Sequence, residues 1–121
     1  MFQPPFPEFL PESSWLPPTE FPNLVGRGAK WISIDCETRD PFLQEKGPGF
    51  VRGDAHVVGV AIRADGFSGY FPVRHEQGNN LAPNAVFPWL AEQLSGEQPK
   101  IGANLLYDLE GLYYEGVTDV R

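Results

Sequence analysis

The chain has 121 residues, 41% apolar and 21% charged, and its 16 acidic against 9 basic residues give a formal net charge of -7. That length is the span of one domain, at roughly 100 to 200 residues per domain, and the acidity excludes a protein that coats phosphate backbones through a broad positive field. It does not exclude chemistry carried by divalent cations, which bridge acidic groups to phosphates and reverse the local sign.

Residues 1–25 are dense in proline, interleaved with Phe2, Phe6, Phe9, Leu10, Trp15, Leu16 and Phe21. Proline at that density forbids helix and sheet interior, so an extended, polyproline-like strap is expected. Disordered segments are usually poor in aromatics, so the strap is expected to pack on a body, either this domain or a neighbour. Residues 26–121 then read as the domain itself. Residues 31–36 (WISIDC) form a first strand, β-branched and aromatic, followed by a loop over 38–54 broken by Gly47, Pro48, Gly49 and Gly53. Residues 56–63 (HVVGVAIR) and 69–73 (GYFPV), joined by Ala64, Asp65 and Gly66, read as a β-hairpin.

The period then changes. Val86, Leu90 and Leu94, with Phe87 and Trp89 beside them, predict a helix from about Pro83 to Leu94 that Gly96 stops. Residues 100–103 are short and apolar enough for a further strand. From Asn104 onward, Leu105, Leu106, Leu109, Leu112 and Tyr113 fall on one side of a second helix, which Gly116 ends. The order β, β, β, α, β, α implies an α/β fold with a mixed β-sheet and flanking helices. One cysteine, Cys36, excludes an internal disulfide framework or a multi-cysteine zinc site and suits a reducing cytoplasm. No apolar run reaches bilayer length, and the start lacks the basic and apolar regions of a signal peptide, so neither membrane insertion nor export is expected.

Asp35 and Glu37 close the first strand and, two residues apart, leave the same face of the sheet. Such a pair repels unless something positive lies between, and a hard Mg²⁺ or Mn²⁺ ion takes oxygen ligands of this kind. An acidic strand end with no ligand is the commoner explanation of this pair alone. A second signal follows about 70 residues on, where Asn104, Asp108, Gly111 and Glu115 share a helical stripe opposite the leucines. Asn104 as an N-cap and Asp108 as a first-turn acid account for it without a site; both accounts hold together.

These residues resemble the 3′→5′ proofreading exonucleases of family A DNA polymerases, in their phage and bacterial forms. Asp35, Cys36, Glu37 and Thr38 match the first motif of that family, and Asn104, Tyr107 and Asp108, within IGANLLYDLEGL, match the second. The Gly47, Pro48, Gly49 loop with Arg52, the VVGVAIR strand and YFPVRH with Arg74 and His75 are similar as well, so the resemblance covers roughly residues 30–118. It implies an RNase H-like fold of the DnaQ-type exonuclease class, with two Mg²⁺ or Mn²⁺ ions. Asp35 would bridge both ions, Glu37 would bind one and orient water, and Asp108 would hold the second. Thr38, Asn104 and Tyr107 would seat the terminal nucleotide of a single-stranded DNA 3′ end. The location implied is the cytoplasm of a bacterium or of a phage-infected host.

The third motif of that family, a tyrosine or histidine before a final aspartate, comes later than Arg121. An incomplete domain, truncated at its C-terminal end and needing the remainder of a DNA polymerase or a completing polypeptide, is therefore expected. A non-catalytic exonuclease-like module for polymerase or nucleic-acid contacts is the alternative, and a related ribonuclease a third. Elsewhere the bland readings prevail: His56 and His75 as polar or capping groups, with His75 near the mouth of the site; Phe87 and Trp89 as core; Tyr113 and Tyr114 as packing; Cys36 as a small buried side chain.

Overall fold

The computed structural model describes residues 16–121, so the first fifteen residues of the proline-rich strap lie outside the described residues. Seven elements follow in the order β1 (Ile32–Arg39), α1 (Leu43–Lys46), β2 (His56–Ala64), β3 (Phe67–Pro72), α2 (Pro83–Leu94), β4 (Lys100–Ile101) and α3 (Leu105–Tyr113). The four strands form one sheet in the order β3-β2-β1-β4. β1 and β2 pair antiparallel, as do β2 and β3, while β4 joins β1 in parallel with Ile32 opposite Lys100. The fold is α/β with a mixed sheet and flanking helices, compatible with an RNase H-like arrangement.

Period-two alternation sorts the strands into two faces. Ile32 and Ile34 on β1, Val60, Ile62 and Ala64 on β2, and Phe71 on β3 meet Val86, Phe87, Leu90 and Leu94 of α2 and Leu112 of α3 in one buried cluster. The opposite face carries Ser33, Asp35 and Glu37 on β1, cross-strand from Arg63, Ala61 and Gly59. Ser68 and Tyr70 of β3 extend this second face.

α2 spans the expected residues, with Pro83 in its first turn, where a missing N–H costs nothing. The hairpin turn is tighter than expected, because β3 begins at Phe67 and only Asp65 and Gly66 join the strands, Gly66 with φ of 75°. β1 runs to Arg39, since Thr38 and Arg39 still pair with Val57 and His56 beyond a register shift. β4 keeps two residues of the four expected. The loop over 38–54 contains one helical turn, α1.

The apolar face of α3 meets expectation in part, with Leu105, Leu109 and Leu112 on the core and two residues turned away. Leu106 is 85% exposed and Tyr113 57% exposed, whereas Asp108, Gly111 and Leu112 are buried. Gly111 explains the rotation: a Cβ there would sit 2.9 Å from the Phe50 ring and 3.0 Å from Val57 Cγ2, so its absence lets the helix press that stripe onto its neighbours.

The described end of the strap packs on the same domain. Phe21 packs against Phe71 and Trp89, with ring centroids 5.7 and 5.6 Å away, and Trp89 Nε1 donates to the Pro22 carbonyl at 2.8 Å. The buried Gln93 side chain accepts from the backbone N–H of Leu24 and Val25 at 2.7 and 3.1 Å. No helix among the described residues is long and apolar enough to cross a membrane.

Candidate active site

The site is built where β1 ends. Asp35 and Glu37 are both exposed on the face away from the helices, as their spacing requires. Immediately after Glu37 the register with β2 shifts, so that Val58 is the extra residue between the Glu37–Gly59 and Thr38–Val57 pairs. Its carbonyl accepts the N–H groups of both Val73 and Arg74, at 2.9 and 3.1 Å. Bulges of this kind re-aim side chains and concentrate beside functional sites.

Glu37 does not stand alone. The Tyr70 hydroxyl donates to Glu37 Oε2 at 3.0 Å and also meets His75 Nε2. Burial, reinforced by the Glu37 charge, pushes the Tyr70 phenol well above its usual range, so it stays a neutral donor.

Asp108 approaches from α3, which the short parallel strand β4 delivers beside β1. Gly102 makes that approach close: a Cβ there would lie 2.9 Å from the Ile34 carbonyl oxygen. Asp108 is 3% exposed, and its Oδ2 is buried without a hydrogen-bond partner. Burial pushes its carboxyl up to about 6; the Cys36 backbone N–H offsets part of this, and the Asp35 charge adds to it. An uncompensated buried carboxylate is costly, and either a proton or a cation relieves it.

Cys36 faces the helices, its Sγ 3.9 Å from the Asp108 carbonyl oxygen. Burial, then the charges of Asp108 and Asp35, raise its thiol far above the ordinary value, so the thiolate is disfavoured.

Thr38 and Tyr107 are brought together. Their hydroxyls are 3.0 Å apart, and Tyr107 donates to Asp40 Oδ2 at 2.8 Å, so its oxygen receives the Thr38 proton. Asp40 also accepts from Gly49 N at 3.2 Å, and the Phe50 and Tyr107 rings lie 5.0 Å apart. This network ties the end of β1, the following loop and the start of α3 into one block. Asn104 occupies the N-cap position of α3, but its side chain makes no capping hydrogen bond. It is exposed and lines a shallow pocket with Leu43, Pro48, Leu106, Tyr107 and Glu110.

Asp35 shares one face of β1 with Glu37 and lies close enough to Asp108 for its charge to act there. Among the described residues, no group of three or more His, Cys, Asp or Glu side chains is gathered closely enough to hold a metal ion.

No protein-family model matches the chain. It is 40% identical over 114 residues to a DNA-directed DNA polymerase of Pseudomonas phage M6, a match that takes in 90% of this chain and 17% of that protein. The chain is therefore related to a segment of a phage DNA polymerase. It spans about a sixth of that polymerase's length, so the similarity concerns one portion of it.

Within this polymerase-related segment, sequence reasoning missed the partners that hold the acidic residues. The sequence pattern marks Tyr70 only as strand and Asp40 only as loop. The available signal was the register itself: Tyr70 is opposite Ala61, which is opposite Asp35, so a β-hairpin reading already puts Tyr70 on the acidic face.

Proposed function

We propose that this chain is part of the 3′→5′ exonuclease domain of a phage-type DNA polymerase, with an RNase H-like fold, acting on single-stranded DNA 3′ ends. The observation that carries this reading is the buried, partnerless Oδ2 of Asp108 beside the charge of Asp35, at the junction of β1 and α3. Relationship to a phage DNA polymerase supports it. The sheet order β3-β2-β1-β4 is also compatible with it.

The donor set fits hard divalent cations, since Asp35, Glu37 and Asp108 offer only carboxylate oxygens. When bound there, two Mg²⁺ or Mn²⁺ ions would supply charge stabilisation to the attacking and leaving oxygens of an in-line phosphodiester displacement. The residues of the chain itself do the arranging. Asp35 and Glu37 present carboxylates on one face, and the Thr38–Tyr107–Asp40 network fixes the start of α3 and with it Asp108. Asn104 and Tyr107 line the adjoining pocket, where a terminal nucleotide would lie. Further polypeptide, from the rest of a polymerase, would complete the ligand set.

The absence of a converged three-ligand cluster among the described residues favours a second reading, a non-catalytic module for polymerase or nucleic-acid contacts. Incubating 5′-labelled single-stranded DNA with the chain in Mg²⁺, Mn²⁺ or chelator, beside an Asp35→Ala variant purified identically, separates the two. Stepwise, metal-dependent shortening from the 3′ end that the variant lacks is the expected result. Equal cleavage by both proteins would sink the exonuclease reading; no cleavage, with Mn²⁺ affinity unchanged by the variant, would favour the module.

A further inference from the structure

We propose that Tyr70, backed by His75, is the positioning residue of Glu37, selecting one orientation of that carboxylate for a divalent cation. The cation rests on the function proposed above; the positioning itself does not.

Three observations lead to it. The first is space. Tyr70 reaches Glu37 by leaning diagonally across β2, over Gly59, and a Cβ at that glycine would collide with the phenol. Gly59 stands cross-strand from Glu37 itself, so the position that faces the carboxylate is the one left without a side chain. The second is proton direction. An ionised carboxylate only accepts, so the single phenolic proton goes to Glu37 Oε2, and the Tyr70 oxygen accepts from an Nε2–H of His75. The two rings meet edge to face with centroids 5.7 Å apart.

The third is the anchoring of His75. Its backbone N–H donates to Asn80 Oδ1 and its carbonyl accepts from Asn80 Nδ2, each at 2.9 Å, so one side chain clamps both of its backbone groups. Asn80 thus fixes His75, His75 fixes Tyr70, and Tyr70 fixes Glu37.

An exposed glutamate otherwise samples several rotamers and loses that freedom when it binds. A hydrogen bond to one carboxylate oxygen removes the cost in advance and leaves Oε1 for a cation. It also offsets the repulsion from Asp35 on the same face. Groups that orient ligands in this way change metal affinity by about 10- to 100-fold when removed.

The test has a metal-free arm and a metal arm. In the isotope-labelled chain without metal, three-bond couplings should report one dominant χ1 rotamer for Glu37, and averaged couplings in Tyr70→Phe, with amide spectra confirming that the variant is folded. In the second arm, Mn²⁺ binding followed by electron paramagnetic resonance should weaken about tenfold in Tyr70→Phe. The same substitution should have no further effect in a Glu37→Gln background. His75→Leu should behave like Tyr70→Phe, while His75→Gln, which keeps an N–H donor, should recover part of the affinity.

Averaged Glu37 couplings in the unaltered chain, or couplings unchanged by Tyr70→Phe, would overturn the proposal. So would an equal loss of Mn²⁺ affinity with and without Glu37, which marks a merely structural tyrosine. If Asp35→Asn and Glu37→Gln both leave Mn²⁺ affinity unchanged, the metal site falls, and the rotamer arm alone decides whether Tyr70 positions Glu37.

Discussion

Arg74 and Glu115 form a two-pronged ion pair, Nη1 to Oε2 at 2.6 Å and Nη2 to Oε1 at 2.8 Å, joining the exit of β3 to the residues that follow α3. The same guanidinium donates to the Val57 carbonyl at 2.9 Å and lies over the Phe87 ring. It therefore links β2, α2 and the end of α3. Charge-assisted hydrogen bonds contribute about 1.5–3 kcal/mol each when well shielded. With the arginine side chain about a third exposed, solvent screening reduces that figure. Glu115→Gln should cost about 1–2 kcal/mol, read as a lower urea midpoint at unchanged slope. Arg74→Lys should cost a similar amount, because an ammonium cannot form the fork.

Gly111→Ala sets two effects against each other. Alanine in place of a helical glycine gains about 1 kcal/mol of helix propensity. The new Cβ would sit 2.9–3.1 Å from Phe50 and Val57, contacts that force buried groups apart and cost about 1–3 kcal/mol. Crowding prevails because both neighbours are buried, and α3 should lift from β1, exposing Asp108. The variant should unfold at lower denaturant, and its Asp108 carboxyl should titrate nearer the ordinary range by NMR. A variant more stable than the parent would show that the helix does not press on this ring.

Gln93→Leu should detach the end of the strap. The Leu24 N–H is buried and bonded to Gln93 Oε1, and leaving such a donor unpaired costs about 1–3 kcal/mol. Because Phe21 and the Trp89–Pro22 bond still hold, the loss should be local. Limited proteolysis should cut residues 16–29 faster in the variant while the rest of the chain keeps its resistance.

How much of this was legible beforehand follows from which forces are local. The boundaries of α2 were readable because Pro83, the Val86–Leu90–Leu94 spacing and Gly96 all act within the helix. The shared face of Asp35 and Glu37 was readable because strand alternation is strict. The facing of α3 was legible in part: Leu105, Leu109 and Leu112 do pack on the core, but Gly111, which fits against Phe50, turns Leu106 and Tyr113 out to solvent. Hidden were the extension of β1 past a bulge, which depends on β2, and the Tyr107–Asp40 bond, whose partners are 67 residues apart. Burial of Asp108 falls in the same class: an acid near a helix start reads as solvated until the sheet it packs on is known.

That burial fixes a pH dependence. The Asp108 carboxyl has a value of 3.8 when unperturbed and about 6 in the folded chain. Between those pH values the folded chain holds a proton that the unfolded chain has released, so the contribution of Asp108 to stability is full below about pH 4 and is lost as pH rises towards 6. A shift of roughly two units corresponds to about 3 kcal/mol lost at neutral pH. Asp108→Asn, which carries no charge to bury, should therefore be the more stable protein at pH 7.5, with the advantage vanishing near pH 4. Adding Mn²⁺ at pH 7.5 should close part of the gap by stabilising only the aspartate form, through its preference for the folded state. Urea unfolding of both proteins at the two pH values, with and without Mn²⁺, measures all of this. A gap that persisted at pH 4 would mean that the amide side chain of the variant packs better for reasons unrelated to charge.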